Sequence, residues 1–209
     1  VYGFNHHNID KKNKLISASI CDANGMVHVL SAINKEYDIV EGSATTIHPW
    51  LTYQNLMDGP VSSEASPGIN ISNYSIGRAA NASMIPKNTS AITACEKLIP
   101  EIRGKLMSMS FRSPTDVVSV ATLSISLKEK VTKKSFIDFL KSFFSKSENI
   151  EIINEDVVSI DFKKSTKSCI IDLRWVEVNG NTIRLVLWYD NEWGYTNQLV
   201  NLCDFVAKL

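Results

Sequence analysis

Two periods of apolar residues run through this chain. Met26, Val27, Leu30 and Ile33 fall at helical spacing and predict a helix over Asn24 to about Asn34. Phe136, Phe139, Leu140 and Phe143 repeat at i, i+3, i+4 and i+7, which predicts an amphipathic helix within Thr132–Phe144. Ile92, Cys95 and Leu98 or Ile99 mark a shorter helix over Ala91–Leu98, capped by the hydroxyls of Thr89-Ser90 and stopped by Pro100. Thr196–Leu209 closes the chain as a helix with Leu199, Val200, Cys203 and Val206 turned inward.

The other period is two. Val117–Leu127 alternates over most of its length and predicts a half-buried strand. Leu106–Arg112 alternates too, and ends on a charge at the rim. Tyr37–His48 is dense in β-branched residues. Lys14–Ser19, Val157–Phe162, Ser168–Leu173 and Thr182–Trp188 are further predicted strands. Asn179-Gly180-Asn181 is a hairpin turn between Val176–Val178 and Ile183–Leu185. Val1–Asn13 is a polar lead-in, Lys146–Glu155 a polar connection, and Pro49–Ser75 a long irregular segment with turns at Asp58-Gly59-Pro60 and Ser66-Pro67-Gly68. The tally predicts an α+β fold: a mixed, mostly antiparallel sheet with helices packed on one face. No GxGxxG fingerprint is present, so a doubly wound dinucleotide fold is not expected.

Composition narrows the partners. The 209 residues are 44% hydrophobic and 21% charged, with a formal net charge of +0. That balance predicts neither a nucleic-acid nor a membrane partner, and no apolar run approaches spanning length. Cys21, Cys95, Cys169 and Cys203 form no CxxC pair and give no metal signature. Four cysteines in a chain of this length suggest free thiols in a reducing, cytoplasmic setting. The chain opens at Val1, without a signal peptide or an initiator Met, which is consistent with a missing N-terminal portion.

The candidate chemistry lies at Cys21 and His48. A cysteine at a helix start and a histidine at a strand end are the two parts of an activated thiol, because helix-start amides and a nearby imidazole both favour removal of its proton. The alternatives are a cysteine serving as a small core hydrophobe and an ordinary structural histidine.

By Trp188-Tyr189-Asp190-Asn191-Glu192-Trp193-Gly194-Tyr195 the chain resembles the catalytic (C-terminal) domain of the glyceraldehyde-3-phosphate dehydrogenase family. The likeness is collinear through Val1–His6, Cys21, Val40-Glu41-Gly42, Thr45–His48, Asp58-Gly59-Pro60, Gly77–Ala80, Leu98–Glu101, Gly104–Leu106 and Phe111–Thr115. The resemblance implies one catalytic domain over residues 1–209, with helix 196–209 facing an N-terminal dinucleotide-binding domain absent from this sequence. It implies NAD- or NADP-dependent oxidation of an aldehyde, glyceraldehyde 3-phosphate in the family, through a hemithioacetal and a thioester to an acyl phosphate. On it, Cys21 matches the nucleophile and His48 the base. Arg112, Thr89 and Ser90 match phosphate-binding positions. Asn191 and Tyr195 match residues that hold the nicotinamide. No metal is implied, and a tetramer is.

The departures from the family cluster at the substrate. Where the family has Ser before the nucleophile and Thr after it, this chain has Ile20 and Asp22. The Thr-x-Thr-Gln that follows the histidine is Leu51-Thr52-Tyr53-Gln54, and a frequent Arg is Ile76. The resemblance therefore leaves three expectations: the family's reaction, a divergent enzyme for another aldehyde, or a non-catalytic binding or assembly paralogue.

Overall fold

The computed structural model describes residues 1–62, 70–71 and 75–209. A helix over Cys21–Tyr37 (α1) leads into strand Ile39–Pro49 (β1). Two short pieces, Val61–Ser62 (β2) and Asn70–Ile71 (β3), pair with each other. Ile85–Lys87 (β4), helix Ala91–Leu98 (α2), Leu106–Ser113 (β5), Ser119–Leu127 (β6) and helix Lys133–Phe144 (α3) follow. The chain ends with Ile150–Ile153 (β7), Cys169–Asn179 (β8), Thr182–Tyr189 (β9) and helix Trp193–Ala207 (α4).

Seven strands form one sheet in the order β4-β5-β1-β6-β9-β8-β7. The β1–β5 and β7–β8 pairs are parallel and the others antiparallel. The α+β class and the mostly antiparallel mixed sheet are as the sequence predicts. Strand β6 alternates without a break, burying Ala121, Leu123, Ile125 and Leu127 and leaving the residues between them half exposed. One core joins these side chains to Met26, Leu30 and Ile33 of α1, Ile92 and Cys95 of α2, and Phe136 and Leu140 of α3. The opposite sheet face carries Met107 and Met109 of β5, 76% and 47% exposed.

Several expectations need correction. Residues 14–19 form no strand. They run as irregular chain into α1, which begins at Cys21, three residues before the predicted start at Asn24. That turn carries Cys21 and Asp22, which leave no hydrophobic signal. Val157–Phe162 is not a strand either, because Ser159–Phe162 closes into a 3-10 turn that buries Phe162 alone. Phe162 stacks on Trp188 at 5.5 Å. The polar connection hides β7, a short edge strand flanked by charges. Ser168–Leu173 and Val176–Val178 prove to be one strand, β8, bent where its register on β9 shifts between Asp172 and Glu177.

In α4 the buried side is Gly194, Gln198 and Leu202. Leu199, Val200 and Cys203 are exposed and Val206 is half buried, so the inward face expected for them is not formed. The turn at Ser66-Pro67-Gly68 lies outside the described residues.

The bend in β8 is held by a buried ion pair. Asp172 is fully buried, and Arg174 donates to it from Nε at 2.9 Å and from Nη2 at 2.6 Å. Trp188 Nε1 donates at 3.1 Å, and the Arg174 backbone N–H at 3.2 Å. Burial alone would raise the Asp172 pKa, but these donors outweigh it and hold the carboxyl below its usual value. The arrangement fixes the end of β9, from which Tyr189 enters the site.

Candidate functional site

Position begins with the residues before α1. Ser19 takes a left-handed backbone, φ 67°, which costs energy in a residue with a Cβ. The Asn24 side-chain amide offsets that by donating to the carbonyls of Ala18 and Ile20 at 3.0 and 2.9 Å. The chain is thereby turned so that Cys21 opens the helix, with its sulfur near the first free amides.

The β1–β5 register does the rest. It sets His48 beside Arg112 and Thr46 beside Ser110, all four buried. Thr46 Oγ1 donates to Ser110 Oγ at 2.8 Å, which ties the two strands below the site.

His48 Nε2 lies 3.8 Å from Cys21 Sγ. Its Nδ1 lies 2.9 Å from the Pro49 carbonyl, which only accepts, so Nδ1 carries the proton and the Nε2 lone pair faces the thiol. Burial lowers the His48 pKa, and Arg112 lowers it further. The Cys21 thiol is pushed up to about 12, by burial first and then by the Asp22 carboxylate, against the pull of helix-start amides and Arg112. The resting pair is therefore a neutral thiol beside a neutral imidazole. The chemistry available to it is proton transfer at the moment of attack.

Asp22 is buried and accepts from the Tyr189 hydroxyl at 2.8 Å. The close approach is possible because Gly25 lies beneath the ring: a Cβ there would meet Tyr189 Cδ1 at 2.8 Å.

Cys21, His48, Arg112, Thr89 and Ser90 line one cavity of about 550 Å3, together with Ile20, Asp22, Lys87, Asn88, Thr93 and Ser110. The sequence candidates for nucleophile, base and anion binding thus meet at one place. Arg112 Nε and Nη1 are buried there without a hydrogen-bond partner among the described residues. Thr89 Oγ1 accepts from the Ala91 N–H at 3.1 Å, while Ser90 makes no side-chain cap, so the capping expected of both falls to Thr89.

Asn191 and Tyr195 do not line this cavity. Tyr195 reaches the same loop from α4, its hydroxyl donating to the Ser19 carbonyl at 3.1 Å. Asn191 is buried, and its Oδ1 has no partner among the described residues. Between Tyr189 and Asn191 the sequence reading missed Asp190. Its Oδ1 accepts from the N–H groups of Glu192 and Trp193 and its Oδ2 from that of Lys164, which anchors the start of α4. It also missed Ser110, two residues before Arg112 on an alternating strand and so on the same face.

Residues 20–191 match the family model described as "Glyceraldehyde 3-phosphate dehydrogenase, C-terminal domain". The whole chain is similar, at 35% identity, to 60% of a cytosolic glyceraldehyde-3-phosphate dehydrogenase of Chlamydomonas reinhardtii. It is similar at 35% to 56% of a glyceraldehyde-3-phosphate dehydrogenase of Atriplex nummularia. At 34% identity, 99% of it aligns with 44% of a glyceraldehyde-3-phosphate dehydrogenase-like protein of Pseudomonas aeruginosa. The chain spans about 60% of the length of the first of these relatives.

Proposed function

The chain belongs to the family of the glyceraldehyde 3-phosphate dehydrogenase C-terminal domain, and on that ground we propose that it is the catalytic part of an oxidoreductase that oxidises an aldehyde at Cys21. The observation that carries this reading is the Nε2 lone pair of His48 aimed at the Cys21 thiol, at the wall of a cavity lined by Arg112, whose buried Nε and Nη1 have no hydrogen-bond partner among the described residues.

Cys21 Sγ attacks the aldehyde carbon, forming an S–C bond, while its proton passes to His48 Nε2. The Cys21 and Asp22 amides favour the sulfur as it gives up that proton. NAD or NADP, when bound, supplies the hydride acceptor that turns the hemithioacetal into a thioester. Two residues fit the nicotinamide: the Asn191 Oδ1, a buried acceptor without a donor among the described residues, and the Tyr195 ring. Arg112, with Thr89 and Ser90, would bind the phosphate that releases the acyl group as an acyl phosphate.

The substrate we propose is glyceraldehyde 3-phosphate. Ile20 and Asp22 at the cavity wall offer fewer donors and one more negative charge than the family pattern implies, so its phosphate is held weakly. The test is reduction of NAD+ or NADP+ by the complete protein with glyceraldehyde 3-phosphate, with and without inorganic phosphate. The expected result is turnover that requires phosphate and saturates only at high substrate. Turnover independent of phosphate would favour another aldehyde with water resolving the thioester, and no turnover with any aldehyde would favour a binding or assembly role.

Asp22 also makes a prediction about the thiol. Asp22→Asn removes the charge that opposes ionisation, so alkylation of Cys21 by iodoacetamide at neutral pH, in chelator, should quicken about tenfold, equivalent to one pKa unit. An unchanged rate would assign the raised thiol to burial alone.

We assign the open sheet face bearing Met107 and Met109 to self-association into a tetramer, which sedimentation of the complete protein would test. No helix among the described residues is long and apolar enough to cross a membrane. With relatives named cytosolic, a cytoplasmic location is the matching proposal.

A further inference from the structure

We propose that Cys21, Asp22 and His48 together bind a divalent transition-metal ion, with zinc the best match to their sulfur, oxygen and nitrogen donors, leaving one coordination position open to the cavity. One ligand atom from each residue lies within 4.8 Å of the other two. Cys21 Sγ is 3.8 Å from both His48 Nε2 and Asp22 Oδ1. Ligands around a tetrahedral zinc, at bond lengths of about 2.0–2.3 Å, stand roughly 3.3–3.8 Å apart. Small side-chain adjustments therefore bring the three donors around an ion.

The surroundings are those a metal site needs. His48 uses Nδ1–H on the Pro49 carbonyl, which fixes the tautomer and orients Nε2 as the ligating atom. Asp22 is oriented by the Tyr189 hydroxyl, and Tyr189 is itself nearly fully buried. A thiolate and a carboxylate neutralise a dication, so the loaded site carries no net charge from these groups. Arg112 and Lys87 line the same cavity and would favour an anionic fourth ligand.

Adjacent Cys and Asp on a helix start, with the His on a strand 27 residues on, form no metal spacing motif, which is why sequence reading finds none. Asp22 is also a departure from the family pattern, so the site is a property of this chain.

Binding is an exchange without redox change. The Cys21 S–H bond breaks and its proton goes to solvent. An S–metal bond forms, and the three side chains displace waters of the hydrated ion until one remains in the open position of a four-coordinate site. The nucleophile is then masked, reversibly, until a chelator removes the ion. The inference is independent of the aldehyde-oxidation reading, since it requires only the three side chains.

The test uses zinc and cobalt ions alone. Titration of the chain with Zn2+ should show one ion bound, and Co2+ should give a thiolate-to-cobalt charge-transfer band. Cys21→Ser should lose the band, and Asp22→Asn should weaken zinc binding at least about tenfold. In the unaltered chain, zinc should suppress alkylation of Cys21 and chelator should restore it, a readout that no variant's folding can obscure. Zinc binding unchanged in Asp22→Asn, a band that survives Cys21→Ser, or alkylation of Cys21 indifferent to zinc would each overturn the proposal.

Discussion

Replacing His48 by Asn in the complete protein is expected to lower turnover about 10²–10⁴-fold, the range for loss of a positioned general base. The size follows from the state of the pair. Burial and Asp22 push the Cys21 thiol up to about 12, and burial with Arg112 lowers the imidazole. An ion pair is therefore not stored in advance, and the base is needed at each attack. Asn is smaller, but its amide can still donate to the Pro49 carbonyl, so the loss should fall on kcat with the fold intact. Circular dichroism and the kcat against KM split are the measurements. A loss confined to KM would place His48 in binding instead.

The second large effect is on stability. Asp172→Ala should cost about 3 kcal/mol, because it leaves the Arg174 guanidinium and the Trp188 N–H without their buried acceptor. Urea unfolding should show a lower midpoint with an unchanged slope. The pH dependence has a definite sign. The folded Asp172 pKa lies below the unfolded value, so its contribution is fully present above the ordinary carboxylate value of about 3.9. As pH falls past that value the contribution shrinks, and it is gone below the depressed folded pKa. Asp172→Asn should therefore flatten the acid limb of the stability curve. An equally steep acid limb in the variant would assign the acid sensitivity to other carboxylates.

These two residues show how far the sequence could be read. His48 was legible twice: as the end of a β-branched run, and through the family resemblance. Strand β6 was legible from alternation alone, because one face is buried and the other half open. Asp172 gave no signal. Its role depends on a bend that brings Arg174 back on the same strand, and no period marks a bend.

The misread pieces share a cause. Val157–Phe162 has a strand-like composition, but only Phe162 finds a core position, so local turn geometry wins. Residues 14–19 are apolar enough for a strand yet have no neighbour to pair with. Their task is to deliver Cys21 through the strained Ser19. At the site, resemblance picked out Cys21, His48, Arg112, Thr89 and Ser90, which line one cavity. It passed over Tyr189, whose partner Asp22 is 167 residues away, and Asp190, which ties Lys164, 26 residues away, to the start of α4; both long-range contacts appear only when the sheet closes.

The central claim is that Cys21 carries the acyl group. The direct measurement is mass spectrometry of peptides from the complete protein, mixed with glyceraldehyde 3-phosphate and NAD+ in the absence of phosphate. Acylation of the peptide containing Cys21, reversed by adding phosphate and absent from Cys21→Ser, is the expected result. Acylation at Cys95, Cys169 or Cys203, or none at Cys21 while the cofactor is reduced, would contradict it.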